Sequence, residues 1–84
     1  MKIRTTIGTT EKHEVEAEQS WLGKRKVIVD GDDIIDKREI TSLSGTVRFA
    51  VGEEEKHECK VRFGRGISGL KVDIYADGKL IARS

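Results

Sequence analysis

The two histidines and the single cysteine are the side chains with the widest range of chemistry in this sequence. His57 and Cys59 lie two residues apart, so in a strand both would point to one face, and His13 could join them in a zinc site. A Cys–His nucleophile would also need a group that orients the histidine and donors for an oxyanion, and neither is evident. The face is otherwise apolar, and we interpret the histidines as a pair within the core or at its rim. We therefore predict no catalytic residue, no zinc site and no enzyme.

Oxygen ligands suited to calcium are concentrated around the first Asp-Gly pair. They are the carboxylates of Asp30, Asp32, Asp33 and Asp36. Calcium binds about six to eight oxygen atoms, but the EF-hand spacing is absent, and Asp-Gly turns commonly form hairpins without a metal. Binding of calcium or another ligand at this turn is the main alternative function, with the run Glu53-Glu54-Glu55 a weaker candidate. No metal or cofactor is assigned.

A glycine-rich run, Gly64-Arg65-Gly66-Ile67-Ser68-Gly69, matches the G-x-G-x-x-G pattern of dinucleotide-binding domains. That motif requires a helix after the glycines, whereas the residues after Gly69 alternate as in a strand. The acidic residue expected about 20 positions later would fall beyond Ser84. We interpret the run as a flexible hairpin loop, because glycine accepts the positive φ that such loops need.

Basic residues could form a patch for nucleic acid. They are Lys24, Arg25, Lys26, Arg62, Arg65 and Lys71. Single-stranded nucleic acid also needs aromatic rings for base stacking, and of the four aromatic residues Phe49 and Phe63 have the pattern of core positions. Nucleic-acid binding is therefore the second alternative and is disfavoured.

Trp21 and Leu22 form a large apolar pair between Ser20 and Gly23, in a predicted hairpin loop. Such a pair either folds over the end of the domain or contacts a partner. We predict that it is an interaction hotspot, together with Arg65 and Ile67 of the glycine-rich loop. The partner would be an unidentified protein or a second copy of the chain in a homodimer.

An internal repeat relates the two halves of the chain, approximately residues 2–40 and 46–83. At a shift of 44 residues, Arg4 matches Arg48, Gly8 matches Gly52, and the tetrad Glu-Lys-His-Glu occurs in both copies. The Asp-Gly pairs match at a shift of 47, which implies three extra residues in the glycine-rich loop. Each half is too small to bury a core alone, so the halves should pack on each other.

The periodicity within each copy is two, which is typical of strands with one buried face. His57, Cys59, Val61 and Phe63 alternate with charged residues, and the segment from His13 to Glu18 repeats this pattern. A strand precedes each of these, a third ends at each Asp-Gly turn, and a fourth follows, over about 34–40 and 79–83. We predict an all-β antiparallel sandwich of about eight short strands in two pseudo-symmetric four-stranded halves.

The composition indicates one soluble domain over residues 1–84. The hydrophobic share is 36%, the charged share is 37% and the formal net charge is +1, which does not indicate a dedicated polyanion binder. No apolar run exceeds three residues, whereas a membrane-spanning helix needs about 20. A lone cysteine cannot form an internal disulfide, and the first residues lack the apolar segment of a secretory signal. We expect a cytoplasmic protein with no membrane contact.

Two runs, His-Glu-Val-Glu-Ala-Glu from His13 and Gly-Lys-Arg-Lys-Val-Ile-Val-Asp-Gly from Gly23, resemble the opening of a domain of the Fas apoptotic inhibitory molecule family. The similarity continues through Phe49-Ala50-Val51-Gly52, the strand around Cys59 and residues 72–78, and so spans nearly the whole chain. It implies a compact antiparallel β-sandwich without a catalytic motif. The animal proteins of that family are two-domain regulators of death-receptor and survival signalling, of which this chain would supply one domain. The sequence thus predicts a non-catalytic protein-interaction or structural module.

Overall fold

The structure is a computed structural model, which describes residues 1–20, 24–34, 45–66 and 69–84. Eight strands run in chain order: β1 Lys2–Ile7, β2 His13–Gln19, β3 Arg25–Val29, β4 Asp32–Asp33, β5 Thr46–Val51, β6 His57–Gly66, β7 Gly69–Ala76 and β8 Lys79–Arg83. They form two antiparallel four-stranded sheets, ordered β1-β2-β3-β4 and β5-β6-β7-β8. The predicted all-β architecture of two four-stranded halves is confirmed.

One strand differs from its predicted position. The sequence predicts the fourth strand of the first half at about 34–40, whereas β4 is the two-residue strand Asp32–Asp33, paired with Val29 and Ile28. The strand begins earlier because the Asp30-Gly31 turn needs only two residues to reverse the chain. Residues 35–40 lie outside the described part of the chain.

The two sheets repeat each other in register as well as in order. Thr5 pairs with Val15 in the first sheet, and Phe49 pairs with Cys59 at the equivalent place in the second. Both Asp-Gly turns have positive φ at both residues, 50° and 86° in the first and 51° and 79° in the second. These values are typical of type I′ hairpin turns, as the sequence predicted.

The core lies between the inner faces of the two sheets. The first sheet contributes Ile7, Val15, Ala17 and Val27; the second contributes Val47, Phe49, Val51, Cys59, Val61, Phe63, Val72 and Ile74. These are the apolar members of the period-two pattern, since alternate side chains of a strand point to opposite sides of a sheet. The outer faces are thereby left to charged side chains.

Within the described residues, no helix has the length and apolar character needed to span a membrane.

Ile74→Ala should lower the free energy of unfolding by about 2–5 kcal/mol, because Ile74 is fully buried between the sheets and truncation leaves a cavity. The matched control is Ile81→Ala on β8, where the side chain is 37% exposed and the loss should be below about 1 kcal/mol. Urea denaturation of both variants gives the comparison. Equal losses would contradict this assignment of the core.

Candidate functional site

The β1–β2 and β5–β6 hairpins meet at one end of the molecule, and a glycine sets the geometry of each loop. Gly8 and Gly52 have φ of +106° and +96°. A Cβ on Gly52 would lie 1.9 Å from the carbonyl oxygen of Glu55, and one on Gly8 would lie 2.0 Å from that of Glu11. Only glycine therefore fits at either position, and both loops curl tightly enough to point several backbone N–H groups outward.

Each loop receives the carboxylate of a glutamate from the other loop. Glu55 accepts hydrogen bonds from the backbone N–H groups of Thr9 and Thr10, both at 2.8 Å. It also accepts from both threonine hydroxyls, at 3.0 and 2.6 Å. In the opposite direction, Glu11 accepts from the backbone N–H groups of Glu53 and Glu54, at 2.9 and 3.0 Å. The two glutamates, 44 residues apart, thus hold the halves together by exchange.

A histidine links each of these glutamates to the Asp-Gly turn of its own half. The Nε2 atom of His13 lies 2.6 Å from Glu11 Oε2, and its Nδ1 atom lies 2.5 Å from Asp30 Oδ2. His57 repeats this arrangement with Glu55 at 2.5 Å and Asp77 at 2.6 Å. Since a carboxylate faces both nitrogens, the doubly protonated imidazolium satisfies each ring best.

The aspartates also bind the backbone. Oδ1 of Asp30 accepts a hydrogen bond from the N–H of Glu14 at 2.9 Å, and Oδ1 of Asp77 accepts one from Glu58 at 3.0 Å. Each turn is thereby fixed to the start of its neighbouring strand. We call the whole set, Glu11, His13, Asp30, Glu55, His57 and Asp77 with the two loops, the hairpin junction.

These contacts shift the pKa values of the junction in opposite directions. Hydrogen bonds to Asp30 and then Glu11 raise the pKa of His13 above its ordinary 6.5, and bonds to Glu55 and then Asp77 raise that of His57. The bond to His13 and the loop N–H groups lower the pKa of Glu11 to about 2. The Thr10 hydroxyl and His57 lower the pKa of Glu55 further still. Both sets of shifts favour the charged forms, the imidazolium of each histidine and the carboxylate of each acid.

This geometry is suited to structural support. In each half the two carboxylates bind opposite nitrogens of one ring, so they do not converge on a point where a metal ion could sit. Cys59 is buried, its Sγ lies 3.7 Å from the carbonyl oxygen of His57, and burial raises its thiol pKa to about 11, so the thiolate is scarce at neutral pH. Of the two placements predicted for the histidines, within the core or at its rim, the structure shows the rim.

The aspartates considered for calcium are divided between different roles. Asp30 is engaged with His13 and Glu14, and Asp32 and Asp33 form β4. Asp36 lies outside the described residues. In the part of the chain that the structure describes, no group of three or more His, Cys, Asp or Glu side chains could hold a metal ion.

The glycine-rich run is a hairpin, because β6 continues to Gly66 and pairs there with Gly69 at the start of β7. The next element after the run is therefore a strand and not the helix of a dinucleotide site. Arg65 is exposed. Trp21, Leu22 and Ile67, the remaining predicted interaction residues, lie outside the described ranges, so their role stays a prediction.

The outer face of the first sheet is a ladder of opposite charges. Lys2 binds Glu16 at 2.9 Å, and Arg4 binds Glu14 at 3.2 Å and Glu16 at 3.7 Å. The cross-strand register produces this pattern, because Arg4 lies opposite Glu16 and Lys2 lies opposite Glu18. The face is close to neutral and satisfies its own charges.

The outer face of the second sheet carries an excess of cations. Its basic residues are Arg48, Lys60, Arg62, Lys71 and Arg83, against the acids Glu58 and Asp73. Arg48 lies directly opposite Lys60, and among the described residues neither forms a salt bridge. Like charges in cross-strand positions destabilise a sheet. We call this surface the basic face.

The basic patch considered for nucleic acid is assembled only in part. Arg62, Arg65 and Lys71 line one cavity at the far end of the basic face. Arg25 lies near that end, with its guanidinium 5.6 Å from the centre of the Phe63 ring. Lys26 lies on the first sheet, opposite Glu18, and so outside the patch.

Comparison of the chain with family models, with curated proteins and with solved structures finds no match.

Glu55→Gln should destabilise the protein more than Glu11→Gln, since Glu55 accepts bonds from three N–H groups, two hydroxyls and His57, whereas Glu11 accepts mainly from two N–H groups and His13. The matched control is Glu54→Gln, whose exposed carboxylate contacts none of the described residues. The urea midpoint should be highest for Glu54→Gln, lower for Glu11→Gln and lowest for Glu55→Gln. A midpoint for Glu55→Gln equal to that of the control would contradict the exchange.

The pH dependence of stability should show a plateau between about pH 4.5 and 6.5. The raised histidine pKa values contribute stability that is complete below 6.5 and is lost as the pH rises through the folded-state values. The lowered carboxylate values contribute stability that is complete above 4.5 and is lost as the pH falls through theirs. Urea denaturation from acid to alkaline pH measures both limbs. His13→Gln with His57→Gln should flatten the alkaline limb and weaken the acid limb, because the histidines also lower the pKa values of the carboxylates that they contact. An unchanged alkaline limb would contradict this account.

Proposed function

We propose that the protein is a non-catalytic interaction module whose basic face binds an acidic surface of a partner protein. The observation that carries this proposal is the placement of Arg48 opposite Lys60 without an acid between them. A sheet under selection for stability alone would pair opposite charges at such a site. Accumulated like charge is instead what electrostatic complementarity to a partner requires.

The first half of the chain provides an internal reference for this argument. At the positions equivalent to Arg48 and Lys60, the first sheet has Arg4 and Glu16, whose side chains form a salt bridge. The backbone register is the same in both halves, so the scaffold does not impose like charges at this site. The difference lies in the side chains alone, which supports a role for the basic face in binding.

The surface around Lys60 favours a protein over single-stranded nucleic acid. The Lys60 ammonium lies 4.5 Å from the centre of the Tyr75 ring and covers it, so this ring is not free to stack on a base. A groove of about 470 Å³ beside the ring is lined by Arg48, Ala50 and Glu58 among others. Mixed apolar and charged lining of this kind is common in protein interfaces.

Calcium binding, the main alternative from the sequence, is not proposed as a second function. Both carboxylate oxygens of Asp30 already accept or share hydrogen bonds, with His13 and with the N–H of Glu14. Coordination would have to break these contacts, which also fix the turn to β2. The resemblance to Fas apoptotic inhibitory molecule domains is consistent with such a module, and we propose it together with the function.

Lys60→Glu should weaken binding of a fluorescein-labelled oligoglutamate peptide by about tenfold or more at low ionic strength, because it replaces a cation of the basic face with an anion. Stability should change by less than about 1 kcal/mol, since the new pair with Arg48 offsets the lost contact to Tyr75. Fluorescence anisotropy and urea denaturation measure the two effects.

Lys56→Glu is the matched control, because it makes the same charge change at an exposed residue of the β5–β6 loop, outside the strands that form the basic face. It should leave peptide affinity within about twofold of the wild type. Equal losses in both variants would contradict the proposal. Tighter binding of an oligothymidylate than of the peptide would replace the protein partner by nucleic acid.

A further inference from the structure

The far end of the basic face contains a separate cavity of about 190 Å³, lined by Arg62, Gly64, Arg65, Lys71 and Asp73. It lies on the β6–β7 hairpin, where Arg62 pairs with Asp73 and Gly64 pairs with Lys71. The edge strand β5 begins at Thr46, opposite Arg62, so among the described residues no strand flanks Gly64 on that side. Because a water molecule occupies about 30 Å³ in the liquid, the cavity has room for a group of several heavy atoms.

The charges around this cavity are unbalanced. Arg62 and Arg65 form no ion pair with any described residue. The Nζ atom of Lys71 lies 3.9 Å from Oδ2 of Asp73, a long ion pair. Three cations and one carboxylate leave a net charge of +2. A phosphomonoester carries about −1.5 to −2 and three acceptor oxygens, and arginine side chains bind such oxygens in pairs. A carboxylate ligand has a single negative charge and would leave one positive charge of the lining unbalanced.

Asp73 adds a second and independent observation. It is only 5% exposed, yet its Oδ1 atom has no hydrogen-bond donor among the described residues, and the ion pair with Arg83 is long, at 3.5 Å. Buried carboxylate oxygens in proteins are normally satisfied by donors. A phosphomonoester, with a second pKa near about 6, exchanges between a dianion that balances the +2 of the lining and a monoanion whose remaining proton is donated to this oxygen.

We propose that this cavity binds a phosphomonoester group, carried by a phosphorylated side chain in the acidic segment of the partner. The proposal rests on the proposed function and specifies the chemistry of its partner. Lys60 and Arg48 would contact acidic residues of the segment, while the cavity would hold the phosphate.

Gly64 allows a direct test of the cavity. A Cβ built on it meets no atom of the described residues within 4 Å, and its φ lies outside the left-handed region, so the backbone accepts a larger residue without strain. Gly64→Glu would place a carboxylate among the three cations and block the cavity. Gly64→Ala is the matched control, because it adds a side chain without charge.

The experiment is an amide NMR titration of the full chain with three probes: an acidic peptide containing one phosphoserine, the same peptide unphosphorylated, and inorganic phosphate alone. The phosphopeptide should bind at least about tenfold more tightly than its unphosphorylated form, with the largest shifts at residues 62–65 and 71–73. Gly64→Glu should abolish this preference, whereas Gly64→Ala should retain it. Inorganic phosphate should give weaker, saturable shifts at the same residues.

The Lys60→Glu variant separates the two proposals. If both are correct, it weakens both peptides but keeps their affinity ratio. A ratio of one in the wild type, with Lys60→Glu still weakening both peptides, would overturn the phosphate site and leave the basic face. Equal behaviour of Gly64→Glu and Gly64→Ala would also overturn it. Binding to vesicles that contain a phosphorylated inositol lipid, without binding to the phosphopeptide, would overturn the protein source of the phosphate.

Discussion

The exchange of carboxylates between the two hairpin loops is the interaction that joins the two four-stranded sheets at one end of the molecule. Glu55 binds the loop N–H groups at Thr9 and Thr10, and Glu11 binds those at Glu53 and Glu54. Neither half of about 40 residues could bury enough apolar surface to fold alone. The interface is apolar where the inner faces meet, and hydrophobic contact has little directional preference. The exchanged carboxylates add a directional interaction, because each accepts hydrogen bonds from backbone N–H groups of the opposite loop. His13 and His57 then transmit this constraint to the Asp-Gly turns, so that the ends of three strands in each sheet are held at one place.

With the halves fixed at the junction and in the core, the outer faces were free to differ. The first sheet pairs Arg4 with Glu16, while the second places Arg48 opposite Lys60. Cross-strand pairs of opposite charge contribute about 0.2–1 kcal/mol each, and like pairs cost a similar amount. That cost is small against the stability of a typical domain. A fold of two sheets that match in register can therefore keep one neutral outer face and tolerate an excess of cations on the other.

Much of the fold follows from local patterns, whereas the junction does not. Period-two alternation, the Asp-Gly turns and the 44-residue repeat predict the strands, their antiparallel pairing and the histidine positions. Short β4 escaped prediction because Ile34 and the residues after it continue an apolar pattern that a strand would share. The partners of His13 and His57 escaped because Glu11 and Glu55 lie two residues away, on a loop whose course the alternation does not define. One signal was present: the Glu-Lys-His-Glu tetrad is identical in both copies although its neighbours differ, which points to a shared contact.

The basic face could not be predicted from the sequence either. Its lysines and arginines are visible in the sequence, but interspersed acids make the chain nearly neutral, and only the strand register shows that the first sheet balances its charges while the second has an excess of cations. The proposed ligand site also lies at the opposite end of β6 from the hairpin junction. His57 begins β6 and Gly64 lies seven residues further along the same strand, roughly 23 Å away at about 3.3 Å per residue. Effects of substitutions at such distances are usually independent. Charge at the cavity can therefore change while the junction, and with it the packing of the two sheets, stays intact.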